Sequence, residues 1–306
     1  MPARTEWSIS APRTLEIEEP VSTLNVRLVG GTVNVVGTSD GSTPRLEISE
    51  IQGPPLTVEY LDGTLSLAYQ DLPWKGLLAF RERKRWHRSA VVSVTVPATT
   101  RVEVGVVGAH AVISGISGRT DLRGVSGDST LVGLTGEVRA DTVSGRVEAQ
   151  AVTGDLRFHS VSGDLTVIDG AGGAVHADSV SGDMVLDLDH TARGADVRLT
   201  TVSGEVAIRL PDPADARVDA NTTSGAVANA FDDLRVSGQW GAKRITGALG
   251  AGTGTLKVTT VSGGLTLLRR PAFEDARAAA AGGGARPDSG PRGAAPTDSP
   301  AEKKVL

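Results

Sequence analysis

The chain has 306 residues, no cysteine and a formal net charge of −5. The lack of cysteine excludes disulfides, thiolate zinc sites, iron–sulfur clusters and cysteine nucleophiles. The acidic balance argues against a nucleic-acid partner, which usually requires a basic surface. With 38 glycines and 3% aromatic residues, the chain must turn often and build its core from small aliphatic side chains.

Targeting signals are not visible in the sequence. The opening residues, MPARTEWSISAPRTLEIEEP, contain no apolar region of the kind that signal peptides carry. No apolar run approaches the roughly 18 residues of a membrane-spanning helix. We therefore expect a cytoplasmic protein.

The first hundred residues are rich in short β-strand patterns. Residues 56–60 and 64–67 alternate between apolar and polar side chains on either side of Asp62-Gly63, a dipeptide that favours a two-residue hairpin. We expect this β-rich part to form irregular first coils or a β-cap for the repeats that follow. Residues 1–13 are expected to be an N-terminal extension.

One segment, residues 72–89, breaks the strand pattern and concentrates positive charge. Its candidate contact residues for an anionic surface are Trp74, Lys75, Arg81, Arg83, Lys84, Arg85, Trp86 and Arg88. Three interpretations remain open: a surface excursion with solvated charges, an interfacial helix on anionic lipid that makes the protein membrane-peripheral, or a docking site for an acidic protein or RNA.

A nine-residue repeat organises the middle of the chain. An aliphatic residue, then Ser or Thr, then Gly begins at Ile116, Val125, Leu134, Val143, Val152 and Val161. Later serine copies lie 18 to 22 residues apart, and a final gap of 38 predicts two coils with residues 245–247 between them. The structural anchors are Gly118, Gly127, Gly136, Gly145, Gly154, Gly163, Gly182, Gly204, Gly225 and Gly263.

The residues between these anchors predict the fold. Apolar residues such as Leu165 and Val167 are spaced by two, which indicates strands with one buried face. Similar short strands at a fixed period predict an all-β fold, a parallel β-solenoid of stacked coils of roughly 18–22 residues. We expect one solenoid domain over residues 14–270, with regular half-repeats at 116–210.

The C-terminal composition changes at about Pro271. Residues 271–306 are dominated by Ala, Gly, Pro, Ser and Asp. A segment of this kind buries too little apolar surface to offset the entropy lost on ordering. We expect a disordered tail.

Acidic residues that follow the anchor glycines could stack in columns. A nine-residue period is typical of calcium-binding β-rolls, but Arg119 and Arg146 interrupt the columns and each repeat has one glycine where that motif has three. Asp after Gly is also ordinary turn chemistry. The five histidines lack zinc-ligand spacing, and we predict no metal and no cofactor.

Catalysis is the alternative to binding. Asp164 and Asp183, one coil apart, could act as the paired carboxylates of a carbohydrate-active solenoid. Such an enzyme usually offers an aromatic sugar platform, and Phe158 is the single aromatic residue between positions 90 and 230. We predict no catalytic residues.

The run of VSGD and TVSG repeats, clearest in DLRFHSVSGDLTV, resembles the bacterial putative-adhesin family of β-strand repeat proteins over roughly residues 20–268. The resemblance implies a β-solenoid domain of unknown function without defined catalytic residues. It favours a non-catalytic binding or scaffold protein with an unknown protein or polymer partner. The excess of Arg over Lys fits a GC-rich actinobacterial genome.

Overall fold

The computed structural model describes residues 4–69, 88–190 and 194–270, and all regular elements in these ranges are β-strands. The strands are β1 (Arg4–Ile9), β2 (Arg13–Glu16), β3 (Thr23–Leu28), β4 (Gly30–Thr38), β5 (Arg45–Gln52), β6 (Leu56–Leu61), β7 (Thr64–Tyr69), β8 (Ser89–Pro97), β9 (Arg101–Val106), β10 (His110–Ser114), β11 (Thr120–Gly124), β12 (Ser129–Val132), β13 (Val138–Thr142), β14 (Val147–Gln150), β15 (Leu156–Ser160), β16 (Leu165–Gly170), β17 (Ala174–Asp178), β18 (Met184–Leu188), β19 (Asp196–Thr201), β20 (Val206–Leu210), β21 (Ala216–Thr222), β22 (Val227–Asn229), β23 (Arg235–Gln239), β24 (Ala242–Leu249), β25 (Gly254–Thr260) and β26 (Leu265–Arg269).

The strands form two long sheets whose inner faces share one hydrophobic core. Sheet A has 14 strands in the order β1-β6-β7-β3-β9-β11-β13-β15-β17-β19-β25-β21-β24-β23. Sheet B has 12 strands in the order β2-β5-β8-β4-β10-β12-β14-β16-β18-β20-β26-β22. Each coil contributes one strand to each sheet, so the predicted β-solenoid is confirmed.

The middle coils follow the repeat closely. Val138 of β13 pairs with Leu156 of β15, and Val147 of β14 pairs with Leu165 of β16, both in parallel register one coil apart. Inward positions are almost fully buried while alternate positions face outward. Phe158 lies in register with a small Ala on each neighbouring strand, which makes room for its ring in the aliphatic interior of these middle coils.

The coils at both ends of the stack are out of chain order. The β3/β4 coil lies between β7/β8 and β9/β10, and the β25/β26 coil lies between β19/β20 and β21/β22. Val258 of β25 therefore pairs with Leu199 on one side and Ala220 on the other. Each end of the stack is held by contacts between residues far apart in the chain.

Antiparallel strands close the two ends. At the N-terminal end, β6 in sheet A and β5 in sheet B run antiparallel to the strands of the coils. Beyond them, β1 forms the edge of sheet A and β2 forms the edge of sheet B. The β6–β7 hairpin turns at Asp62-Gly63, as the dipeptide predicted. At the other end, β24 pairs antiparallel with β21 and β23.

The last cap corrects one prediction. The 38-residue gap was expected to hold two coils with residues 245–247 between them. Between Ser224 and Ser262 it holds β22, the β23–β24 hairpin and β25, and residues 245–247 lie in β24 of the hairpin. The apolar alternation of a cap strand and of a coil strand is the same, so spacing alone could not separate them.

Several sequence predictions lie outside the described residues. They are the basic segment except for Arg88 and Ser89, and the tail of residues 271–306. Of the N-terminal extension, residues 4–9 form β1 at the edge of sheet A, and Arg13 begins β2 at the edge of sheet B.

Candidate functional site

The corner that leads from sheet A to sheet B is built by the four-residue motif Thr/Ser-Val-Ser-Gly. Its first residue points inward, and its hydroxyl oxygen accepts a hydrogen bond from the glycine N–H three positions later. This bond recurs at Ser160–Gly163, Ser179–Gly182, Thr201–Gly204, Thr222–Gly225 and Thr260–Gly263. The first position of the motif therefore caps the turn.

The serine of the motif joins each coil to the next. Its N–H and its hydroxyl both donate to the same carbonyl oxygen, that of the motif valine in the neighbouring coil. The hydroxyl bonds run from Ser126, Ser144, Ser162, Ser181, Ser203, Ser262 and Ser224 to Val107, Val125, Val143, Val161, Val180, Val202 and Val261 respectively. The serines form a continuous hydrogen-bonded ladder.

The glycine of the motif is required by close packing between coils. A Cβ atom on Gly182 would lie 1.9 Å from the carbonyl oxygen of Gly163, and one on Gly204 would lie 1.8 Å from that of Gly182. Real Cβ atoms do not approach backbone oxygens this closely. All predicted anchor glycines of this corner therefore stack with no space for a side chain.

The valine side chain faces solvent, and so does the serine in most copies, but the serine hydroxyl is used in the ladder and the valine side chain has no hydrogen-bonding role. Val143, Val161, Val180, Val202 and Val261 are 40 to 52% exposed. Their backbone carbonyl oxygens accept the hydrogen bonds of the serine ladder, but any residue has a carbonyl oxygen, so this role does not require a valine side chain. We call these five residues the valine ridge.

Coil order makes the ridge continuous. Val202 and Val261 lie on adjacent coils because β25/β26 is inserted beside β19/β20. In chain order Thr223 would separate them, but in the stack Thr223 ends the row. With about 4.8 Å between neighbouring strands, the five valines extend over about 19 Å.

The opposite corner, from sheet B to sheet A, has a similar motif, but its aliphatic side chain is buried. Its aliphatic residues Ile116, Leu134 and Val152 are at most 3% exposed. The residue before each of them, Gly115, Gly133 or Ala151, has a φ of 51 to 67°. This left-handed residue turns the following side chain into the core, whereas Val143 and Val161 follow a regular strand end and continue its alternation outward.

The anchor glycines of this second corner are equally confined. A Cβ on Gly136 would lie 2.2 Å from the carbonyl oxygen of Gly118, and one on Gly154 would lie 1.8 Å from that of Gly136. The ten predicted anchors therefore belong to two separate columns, one at each corner.

An acidic row borders the valine ridge on its sheet B side. Asp164, Asp183 and Glu205 directly follow the ridge glycines. The Asp164 carboxylate accepts the N–H of Asp183 at 3.0 Å, and the Asp183 carboxylate accepts the N–H of Glu205 at 2.8 Å. One oxygen of each aspartate thus joins its coil to the next. Arg146 holds the equivalent position after Gly145, and beyond it the three carboxylates give this side of the ridge negative charge.

The outer face of sheet A carries a network of ion pairs. Asp121 is almost fully buried and accepts two bonds from Arg119, at 2.9 and 3.0 Å, with Arg101 at 3.3 Å. The hydrogen bonds from Arg119 hold the pKa of Asp121 below its usual value, and burial opposes them in part. Glu137 continues the network to Arg119 and Arg157.

The histidines of this face pair with carboxylates one coil away. His159 Nδ1 lies 3.4 Å from Asp178, and His176 Nε2 lies 3.4 Å from Asp196. Within residues 4–69, 88–190 and 194–270, no cluster of three or more His, Asp or Glu side chains is arranged to hold a metal ion. In the same ranges no helix is long and apolar enough to span a membrane.

Of the predicted anionic-surface residues, the structure describes Arg88. Its side chain is buried, and the guanidinium carbon lies 5.3 Å from the centre of the Tyr69 ring. Arg88 therefore packs beside the first coil instead of presenting its charge on an open surface. Trp74, Lys75, Arg81, Arg83, Lys84, Arg85 and Trp86 lie outside the described residues.

Sequence reasoning missed the valine ridge because it treated both corners as one motif. A signal was available: Thr or Ser precedes the exposed Val143 and Val161, whereas Gly or Ala precedes the buried Leu134 and Val152. Glycine accepts the left-handed conformation readily, so Gly115 and Gly133 mark the buried corner, whereas Ala151 gives no such signal.

Two solved structures resemble the chain. One is a putative adhesin from Bacteroides fragilis, with 12% identity, a TM-score of 0.48, and coverage of 88% of this chain and 97% of its own. The other is a putative cell adhesion protein from Clostridium sporogenes, with 13% identity, a TM-score of 0.25, and coverage of 88% and 100%. No curated protein matches the chain. The family model described as Toastrack DUF4097 matches residues 56–268, more than half of the chain, and the protein belongs to that family.

Proposed function

We propose that this protein is a non-catalytic recognition module that binds an extended segment of a partner protein along the valine ridge. The observation that supports the proposal is a row of half-exposed valines in a motif whose other three residues all have a structural task. Exposed apolar rows rimmed by polar residues are typical of interaction sites.

The shape and charge of the ridge indicate the kind of partner. Its length of about 19 Å suits an extended segment of about six residues, at about 3.3 Å per residue. Asp164, Asp183 and Glu205 along one side favour a segment that carries positive charge beside its apolar residues. The solenoid then acts as a rigid rod that presents one binding edge.

Catalysis is not part of this proposal. The carboxylates of Asp164 and Asp183, the pair considered for a carbohydrate-active enzyme, each accept a backbone N–H of the next coil. A cavity beside Leu188, Leu210 and Pro211 measures about 20 Å³, room for about one water molecule. Neither feature offers a groove for a polysaccharide.

The ridge offers a matched set of variants for testing the proposal. Thr223 occupies the valine position of the last coil, so Val161→Thr/Val180→Thr keeps the β-branched shape and removes the apolar surface. Val185 is 46% exposed on the outer face of sheet B, and Val185→Thr is the control. The full chain, immobilised, is challenged with lysate from its native host.

We expect the wild type and Val185→Thr to retain the same proteins, and Val161→Thr/Val180→Thr to retain them at least ~10-fold less, which corresponds to about 1.4 kcal/mol. Peptide arrays of the retained protein should then place binding in one extended segment. Equal retention by all three proteins would contradict the proposal.

A cytoplasmic, membrane-peripheral location is a separate proposal that rests on the composition of residues 72–89. Each basic residue near an anionic surface contributes about 1 kcal/mol. Co-sedimentation with anionic vesicles should therefore fall for Arg83→Glu/Arg85→Glu and should be absent with neutral vesicles. Equal pelleting of wild type and variant would contradict this proposal and leave the ridge proposal untouched.

A further inference from the structure

The hairpin that ends sheet A carries an exposed tryptophan at its turn. Strands β23 and β24 are joined by Trp240 and Gly241, with φ values of 56° and 92°. Two left-handed residues in sequence define the type I′ turn, which favours Asn-Gly or Asp-Gly. The Trp240 side chain is 101% exposed, so it contributes no packing to the chain itself.

The hairpin at the other end of the sheet follows the ordinary rule. There β6 and β7 are joined by Asp62 and Gly63, with φ values of 47° and 76°. A bulky residue in the left-handed region is an unfavourable outlier, because its Cβ crowds the following carbonyl oxygen. Trp240 therefore destabilises the turn that it occupies, and its exposed side chain contributes no packing that would offset this cost.

The strand beside this turn is an open edge. Among the described strands β23 pairs with β24 alone, and all five of its residues are exposed. Edge strands are normally protected by charges, proline or short length. Strand β1 has Arg4 and Glu6, and β22 has three residues. Strand β23 has Arg235 and no proline.

We propose that two copies of this chain associate through β23, paired antiparallel across a two-fold axis at Ser237. Gln239 and Ala242 close the hairpin, and bonding then alternates along the strand. The N–H and C=O groups of Val236 and Gly238 thus point away from β24, toward the free edge. With Ser237 opposite its own copy, Val236 lies opposite Gly238 and four main-chain hydrogen bonds form.

This register also buries the exposed apolar side chains. Val236 is 53% exposed and would lie over Gly238 of the second copy, which has no side chain in the way. Trp240 would be the diagonal neighbour of Val236 of the second copy, within reach of an aromatic ring. Arg235 would face Gln239, so the two Arg235 charges stay at opposite ends of the paired strands.

The second copy fits this edge better than an unrelated strand does. A two-fold axis applies each favourable contact twice and closes the assembly at a dimer. The interface is small, one strand and one turn from each copy, so the dimer is expected to be weak and concentration-dependent. An extended segment of another protein would also satisfy the free main-chain groups, but it would leave the isolated protein monomeric.

The test is sedimentation equilibrium of the full chain from about 5 µM to 500 µM with three variants. Trp240→Asn places the preferred residue in the turn while removing the ring. Val236→Pro removes an N–H that faces the free edge and leaves the bonds to β24 in place. Leu61→Asn is the control, because Leu61 is 37% exposed at the end of β6, in the other hairpin.

We expect the wild type and Leu61→Asn to dimerise with the same dissociation constant, and Trp240→Asn and Val236→Pro to weaken the dimer at least ~10-fold. Trp240→Asn should also melt at the same or a higher temperature, which separates loss of association from loss of fold. A wild type that is monomeric throughout the range would overturn the proposal. So would a higher oligomer, or a dimer that both variants leave unchanged.

Discussion

The two corners of the solenoid use nearly the same sequence motif and place its aliphatic residue on opposite sides of the chain. Val152 is 3% exposed at the corner from sheet B to sheet A, while Val161, nine residues later, is 52% exposed at the corner from sheet A to sheet B. The difference begins at Ala151, whose φ of 51° reverses the side-chain direction. One backbone dihedral thus separates a core position from a surface position.

The residues after each corner also differ. After the buried corner, charged side chains such as Arg119 and Asp121 pair with one another across the sheet A face. Directly after the glycine, carboxylates accept a backbone N–H of the next coil at both corners, as Asp164 and Asp155 do. One corner thus contributes its aliphatic residues to the core and is followed by an ion-pair network, and the other leaves an apolar edge open.

The largest predicted effect comes from truncating the two corners. Leu134→Ala removes a side chain that is 1% exposed and should lower the free energy of unfolding by about 3 kcal/mol. Val143→Ala removes one that is 40% exposed and should cost less than about 0.5 kcal/mol. Urea denaturation followed by circular dichroism measures both, and similar losses would contradict the comparison.

A smaller effect should come from the ion pairs after the buried corner. Asp121→Asn leaves Arg119 without its bidentate partner and should cost about 1–3 kcal/mol at pH 7. Because the pKa of Asp121 is lowered in the folded state, the stabilisation is present above the unfolded pKa of about 3.9 and is lost as pH falls below it. The difference between wild type and variant should therefore shrink below about pH 4.

Asp141 provides the matched control for this variant. It pairs with Arg139 at 2.9 Å on the same face but is more exposed than Asp121. Asp141→Asn should cost less than about 1 kcal/mol, as exposed pairs do. A larger loss for Asp141→Asn than for Asp121→Asn would show that burial does not set the strength of these pairs.

The smallest effect should come from the dihedral itself. Ala151→Gly relieves a left-handed residue of its Cβ and should stabilise the protein by up to about 1 kcal/mol. Ala149→Gly, two positions earlier in β14 and fully buried, should destabilise it. If both variants destabilise to the same extent, the left-handed conformation at Ala151 does not determine the corner.

Much of the fold was predictable because it depends on local patterns. Alternating residues such as Leu165 and Val167 determine the buried face, and glycines such as Gly163 are required wherever neighbouring coils touch. The contrast between the two corners was signalled only by Gly115 and Gly133, since Ala151 before the buried Val152 is not a glycine and carries no signal of a positive φ.

The order in which the coils stack also could not be predicted from the repeat pattern. Val261 lies beside Val202 only because β25 pairs between β19 and β21, and such long-range pairing leaves no trace in a nine-residue period. Ile245 alternates like a coil residue but lies in an antiparallel cap strand. The continuity of the valine ridge, and therefore the candidate site, depends on this topology.

The most direct test of the central claim uses the absence of cysteine from the chain. Val161→Cys and Val152→Cys each introduce a single thiol, one at each corner, and reaction with a maleimide under native conditions reports exposure. The thiol at position 161 should react at nearly the rate of the unfolded chain, and the thiol at position 152 at least ~100-fold more slowly, as expected for a buried site that opens rarely. Equal rates at the two positions would contradict the account of the two corners.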